Sequence, residues 1–150
     1  MTPTRFSLAF LMSATLIGCG DKSAMPSLTP AKVLVTLNGV PLPKAQVTFT
    51  SKLATAGSQA SATGVTDDAG YAVLECGKTP GACLGPNLVT VSEGPLPEET
   101  RGEDQQGAAS QYLAKLKNRP IPAKYQNAIQ SGLTQEVKKD VGEYKVELTR

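Results

Sequence analysis

Histidine and tryptophan are both missing from this 150-residue chain. Without histidine there is no Ser-His-Asp or Cys-His relay, and the commonest zinc ligand is gone. A carboxylate-only or lysine-based centre would be the remaining route to catalysis, and no residue pattern assembles one. The chain therefore reads as a non-enzyme with no cofactor and no metal site. Few aromatics predict a core of Val, Leu and Ala, and they disfavour a flat platform for stacking sugars. No uncharged apolar stretch reaches the ~20 residues that a membrane-spanning helix needs. Nor does one sign of charge dominate, with 15 Lys and Arg against 13 Asp and Glu. There is no basic patch of the kind that grips phosphates, so nucleic acid is not an expected partner.

What is present begins at the N-terminus. Arg5 precedes an uncharged, mostly apolar run from Phe6 to Ile17. At roughly twelve residues it has the length of a signal-peptide core. It ends in Leu16-Ile17-Gly18-Cys19, which resembles a lipobox. Such a motif implies cleavage before Cys19 and a diacylglycerol thioether with fatty acyl (palmitate-type) chains on its sulfur. Residues 1–18 are then a lipoprotein signal peptide. The polar, Pro- and Ser-containing stretch 19–30 reads as the lipidated N-terminus and a flexible tether. Residues 31–150 form one domain. Gly20 stands where an inner-membrane retention signal would more typically place Asp, which favours the outer membrane over the inner.

If Cys19 carries lipid, Cys76 and Cys83 remain as an even pair in an oxidising compartment. They flank the turn-rich Gly77-Lys78-Thr79-Pro80-Gly81-Ala82. A disulfide is the favoured expectation, worth about 2–3 kcal/mol on the chain-entropy model. Metal binding is the rival, but two thiols without histidine supply too few soft ligands.

From Lys32 onward apolar residues recur with period two. Val33, Val35 and Leu37 alternate into Asn38-Gly39, a preferred pair for a tight hairpin. Residues 45–50 alternate again. Residues 58–66 read as a weak or edge strand, and Asp67-Asp68-Ala69-Gly70 as a turn. Strands are further predicted over 71–76, 87–92, 133–138 and 144–148, the last two joined by a hairpin at Lys139-Asp140-Val141-Gly142. Asp67 and Asp68 could offer oxygen ligands to calcium, but Asx side chains before a glycine more simply build the turn.

Residues 94–130 depart from this pattern. The first part, with Glu93, Glu98, Glu99, Glu103 and Asp104, is acidic and reads as a solvated, mobile excursion. Ala109, Tyr112, Leu113 and Leu116 then recur at helical spacing, predicting a short helix near 108–117 that Arg119-Pro120-Ile121-Pro122 stops. Lys124 and Tyr125 are the candidate partner-binding residues. The alternative for Tyr125 is a ring packed on the sandwich with its hydroxyl outward.

Three segments together resemble carboxypeptidase regulatory-like (transthyretin-like) domains: Asn38 to Phe49 (NGVPLPKAQVTF), Gly64 to Tyr71 (GVTDDAGY) and Gly85 to Val91 (GPNLVTV). Gly85-Pro86 inverts that family's usual Pro-Gly. The tail, IPAKY at 121–125 and SGLT at 131–134, is similar to small bacterial envelope lipoproteins of this group. The resemblance implies an all-β fold, a prealbumin-like or Ig-like antiparallel sandwich of about seven strands with one short helix in a long insertion. It implies no reaction. The related hydroxyisourate hydrolases depend on histidines and a C-terminal Tyr-Arg-Gly-Ser, whereas this chain ends Glu147-Leu148-Thr149-Arg150.

The expectation is thus a lipid-anchored, non-catalytic binding or structural module of the cell envelope, its domain in the periplasm or at the cell surface. Its partners would be the membrane, through the lipid, and an envelope protein or glycan. A small-ligand or solute-binding lipoprotein is the alternative, and would need a deep pocket.

Overall fold

The computed structural model describes residues 26–53, 60–100 and 105–150. The expected signal peptide 1–18, Cys19 and the expected tether as far as residue 25 lie outside them. Alternation decides which faces meet. In β2 (Lys32–Leu37) Val33, Val35 and Leu37 point inward. In β4 (Ala45–Ser51) Ala45, Val47 and Phe49 do the same. Each is fully buried, which at roughly 1.5–3 kcal/mol for a large apolar side chain makes this alternation the main source of stability. The result is an all-β sandwich of two sheets.

The larger sheet centres on β4. It is flanked on one side by β10 (Gly85–Glu93) and then β11 (Thr134–Val137). On the other side lie β5 (Ser61–Val65), β7 (Glu75–Cys76) and β8 (Thr79–Pro80). The second sheet is built on β2, which pairs with β12 (Glu143–Leu148), β3 (Val40–Pro41) and β6 (Tyr71–Val73). A two-residue ribbon, β1 (Leu28–Thr29) against β9 (Ala82–Cys83), closes one flank. The facing side chains interlock, with Phe49 and Tyr144 packed edge to face at 6.4 Å between ring centroids.

All seven predicted strands exist, but four details differ. The segment 58–66 is an interior strand between β4 and β7 and not an edge; its first residues, 58 and 59, lie outside the described residues. Gly64 permits that position, since a Cβ there would stand 2.4 Å from the Val73 carbonyl oxygen. The strand 71–76 splits at Leu74, so that β6 joins β2 while β7 joins β5. Leu74 is itself buried, and its N–H donates to Ala31 O at 2.9 Å. A single straight strand could not serve both sheets.

The third difference is the last connection. β11 and β12 are in different sheets, and β12 runs parallel to β2, the one parallel pairing among the described residues. Residues 138–142 are an arch across the edge of the sandwich and not a hairpin. The Tyr144 hydroxyl secures this arch, accepting from Lys138 N–H at 3.0 Å and lying 2.6 Å from Val141 O. Finally, the stretch 19–30 expected as a tether is not unstructured to its end, because Leu28–Thr29 is already paired in β1.

The Asn38-Gly39 turn has φ of 53° and 78°, the doubly left-handed turn expected of that pair. The turn lies at one pole, with Lys44, Asp67 to Gly70, the end of β10 and the C-terminus. At the opposite pole the described chain begins, alongside the Gly77-Lys78 turn, Lys52-Leu53 and the 138–142 arch. Two poles with different contents are the feature of this fold that bears on function.

Candidate functional site

The excursion leaves β10 at Glu93 and returns at Arg119, and these two residues clamp its base. Arg119 Nε stands 2.5 Å from Glu93 Oε2, with the arginine side chain 6% and the glutamate 26% exposed. The contact is a tight ion pair whose angle falls outside hydrogen-bond geometry, and Arg119 Nη1 also lacks an acceptor among the described residues. Other contacts fix both groups. Arg119 Nη2 donates to Pro43 O at 2.6 Å, and Ile121 N–H donates to Glu93 Oε1 at 3.2 Å. Asn118, at φ 62°, donates from Nδ2 to Leu37 O at 3.1 Å. The Arg119–Pro120 peptide bond is cis.

Between the clamped ends, Glu98–Thr100 forms one 3-10 turn, and α1 (Gln105–Lys115) follows after residues that lie outside the described set. The helix expected near 108–117 therefore starts earlier. Among the described elements it packs chiefly on the 98–100 turn. Ala108, Ala109, Tyr112, Leu113 and Leu116 are the half-exposed small and apolar residues of this segment.

The second half of the excursion is a different matter. Ile121 and Tyr125 are core residues, and the 3-10 turn Ala123–Gln126 packs against β10. The Tyr125 hydroxyl donates to Thr149 O at 2.9 Å and accepts from Thr149 N–H at 2.9 Å. Burial pushes this phenol up, but the Thr149 contacts and nearby Lys124 outweigh it, and the net direction is below the ordinary value. Of the two candidate partner-binding residues, Tyr125 is thus a structural strut whose hydroxyl is turned to the C-terminal backbone. Lys124 is exposed, its Nζ 4.9 Å from the Tyr125 ring centroid, and remains available at the surface. Ser131 Oγ completes the docking of this segment by donating to Val89 O at 2.8 Å.

The other expected site residues separate. Asp67 Oδ1 accepts from Ala69 N–H and Tyr71 N–H, each at 2.9 Å, so it is the turn-building Asx residue. Asp68 pairs with Lys44 at 3.3 Å on the open surface, a contact worth little. The acidic residues do not act together: Glu93 is consumed by the clamp, Glu98 and Glu99 are exposed, and Glu103 and Asp104 lie outside the described residues. Among the described residues no three metal-ligating side chains cluster.

The expected Cys76–Cys83 disulfide is not present. Both are free, buried thiols. They stand on different ribbons, Cys76 opposite Thr79 in the β7–β8 hairpin and Cys83 opposite Leu28 in the β1–β9 ribbon, with their thiols near one another but unbonded. The Cys83 thiol donates weakly to Ala60 O at 3.8 Å. Burial pushes the Cys83 thiol up, and the neighbouring Cys76 adds to it. It therefore stays protonated at neutral pH, unsuited to nucleophilic or metal chemistry.

The clamp was not foreseen from sequence. Glu93 and Arg119 are far apart in the chain and each has the composition of loop surroundings. The only available signal was that Arg119 immediately precedes the Pro-Ile-Pro that ends the helix. Comparison with known proteins adds no relative: no family model, no curated protein and no solved structure matches this chain.

Proposed function

We propose that this protein is a lipid-anchored, non-catalytic module of the cell envelope that displays a clamped excursion to a partner, an envelope protein in preference to a glycan. One observation carries this reading: the described chain begins at one pole, and the excursion is clamped at the opposite pole. Anchoring through Cys19 would place the Glu93–Arg119 base away from the bilayer, with α1 and Lys124 presented to other molecules. The carboxypeptidase regulatory-like resemblance and the lipobox of the sequence are consistent with it. A solute-binding role is less well supported, because Leu37, Phe49, Leu74 and Leu148, all fully buried, occupy the space between the sheets.

The test has two arms in a bacterium with an outer membrane. Wild-type chain should incorporate fatty acid label and fractionate with membranes, and Cys19→Ser should lose both. Photo-cross-linkers at Gln111 and Lys124 should capture one defined envelope protein, while a probe at Lys52 should not. Acylation unaffected by Cys19→Ser would overturn the anchor. Capture of lipid or peptidoglycan alone from both excursion positions would overturn protein binding.

A further inference from the structure

We propose that the pole where the chain enters the sandwich is a docking surface for an anionic lipid bilayer. The inference rests on the anchoring just proposed and extends it from a point attachment to an oriented contact. Three observations converge on it.

The first is where the domain begins. Pro26 and Ser27 lie at this pole, where Ser27 O accepts from Leu84 N–H at 2.9 Å and β1 pairs with β9. Thr29 Oγ1 also reaches Lys139 O at 3.4 Å. A chain from Cys19 to Pro26 spans at most about 25 Å even when fully extended. With acyl chains on Cys19 in the bilayer, the pole that holds Pro26 is confined to the neighbourhood of the headgroups. The opposite pole is not.

Charge is the second observation. The tips of this pole carry Lys52, Lys78, Lys138 and Lys139, all exposed, against Asp140. Glu75, Glu136 and Glu143 are exposed residues of the strands that lead into or out of these turns, one or two positions back from them. Four lysines within a Debye length of an anionic leaflet are drawn to it.

The third is aliphatic exposure at the same tips. Leu53 is 60% and Val141 39% exposed; Leu53 follows Lys52, and Val141 N–H donates to Lys138 O at 3.3 Å. Leu53 leans on Gly85, where an added Cβ would lie 2.8 Å from its Cδ1. Exposed aliphatic side chains on the same turns as lysines match a headgroup interface, with apolar tips entering and ammonium groups meeting phosphate. It does not match a protein interface, whose buried centre is depleted of lysine.

Because the chain contains no tryptophan, a single introduced indole reports its own depth. Acylated full-length protein carrying Leu53→Trp, Val141→Trp or, at the opposite pole, Val40→Trp is reconstituted into vesicles containing brominated lipid. One composition is phosphatidylglycerol with phosphatidylcholine, and the other is phosphatidylcholine alone. In the anionic vesicles L53W and V141W should be quenched and V40W should not. Adding K52E, K78E, K138E and K139E, or switching to neutral vesicles, should bring the first two to the V40W level while the protein stays vesicle-bound. Each lysine removed should lower the docked-to-undocked ratio about fivefold. Two probe positions guard against one variant failing to fold. Acylated, vesicle-bound protein with equal quenching at all three positions, or quenching indifferent to lipid charge, overturns the docking proposal alone. Protein that carries no acyl group by mass and floats with neither vesicle overturns the anchor, and the docking proposal with it.

Discussion

Arg119 follows a polar helix and precedes a proline, where a solvated loop cation would be expected, yet its side chain is almost fully buried. A guanidinium out of water is tolerable only while its partners hold, and here they are the Glu93 carboxylate and the Pro43 carbonyl. Arg119→Met strands the carboxylate and a backbone acceptor together. It should cost about 2–4 kcal/mol, somewhat below the range for a wholly buried pair because Glu93 is a quarter exposed. Glu93→Gln should cost at least as much, since an amide oxygen kept on Ile121 N–H turns the amide N–H groups toward the buried guanidinium, which loses its counter-charge. Urea unfolding of both single variants and the double variant checks this, with marked non-additivity expected for groups in direct contact. Additive losses would mean that the two side chains act separately. Tyr125 teaches the same lesson in reverse. Flanked by Lys124 and Gln126 in a loop-like segment, it has the sequence surroundings of a recognition residue. Its ring is core because β10 passes beneath it.

At the scale of elements, the excursion divides into a part that the sandwich needs and a part that it does not. The turn Ala123–Gln126 is packed on β10, whereas α1 rests mainly on the 98–100 turn. Tyr112→Ala with Leu113→Ala should therefore change unfolding free energy by no more than about 1 kcal/mol. Tyr125→Ala should cost about 3–5 kcal/mol, as large aromatic truncations in a core do. Denaturation midpoints of the two variants decide it, and a helix variant as damaging as Tyr125→Ala would show that α1 is structural. Strand existence was legible from alternation, and the Asn38-Gly39 hairpin from its residues. Strand partners were not. The Tyr71–Cys76 segment reads as one strand because period two continues through Leu74, and nothing local marks the change of sheet. The 138–142 arch likewise has hairpin composition, and only the placement of β11 on β10 and of β12 on β2 makes it a crossover.

For the whole molecule, the question is whether the fold depends on a covalent staple. Free Cys76 and Cys83 and a contiguous core of Val, Leu and Phe49 say that it does not. Unfolding of the Cys19→Ser chain should shift by less than about 0.5 kcal/mol when reductant is added. A loop closed between Cys76 and Cys83 would instead cost about 2–3 kcal/mol on reduction. Both thiols should react with a thiol reagent in denaturant and resist it in native buffer, in keeping with their burial. An all-β class, the absence of histidine chemistry, the strand segments and the Cys19 motif are decided by residue type and local period, because alternation and turn preference act over a few neighbours. Sheet membership, the state of the cysteines, the Glu93–Arg119 clamp and the division of the surface into two unlike poles depend on segments far apart in the chain. Those contacts exist only once the two sheets have packed, and no local pattern encodes them.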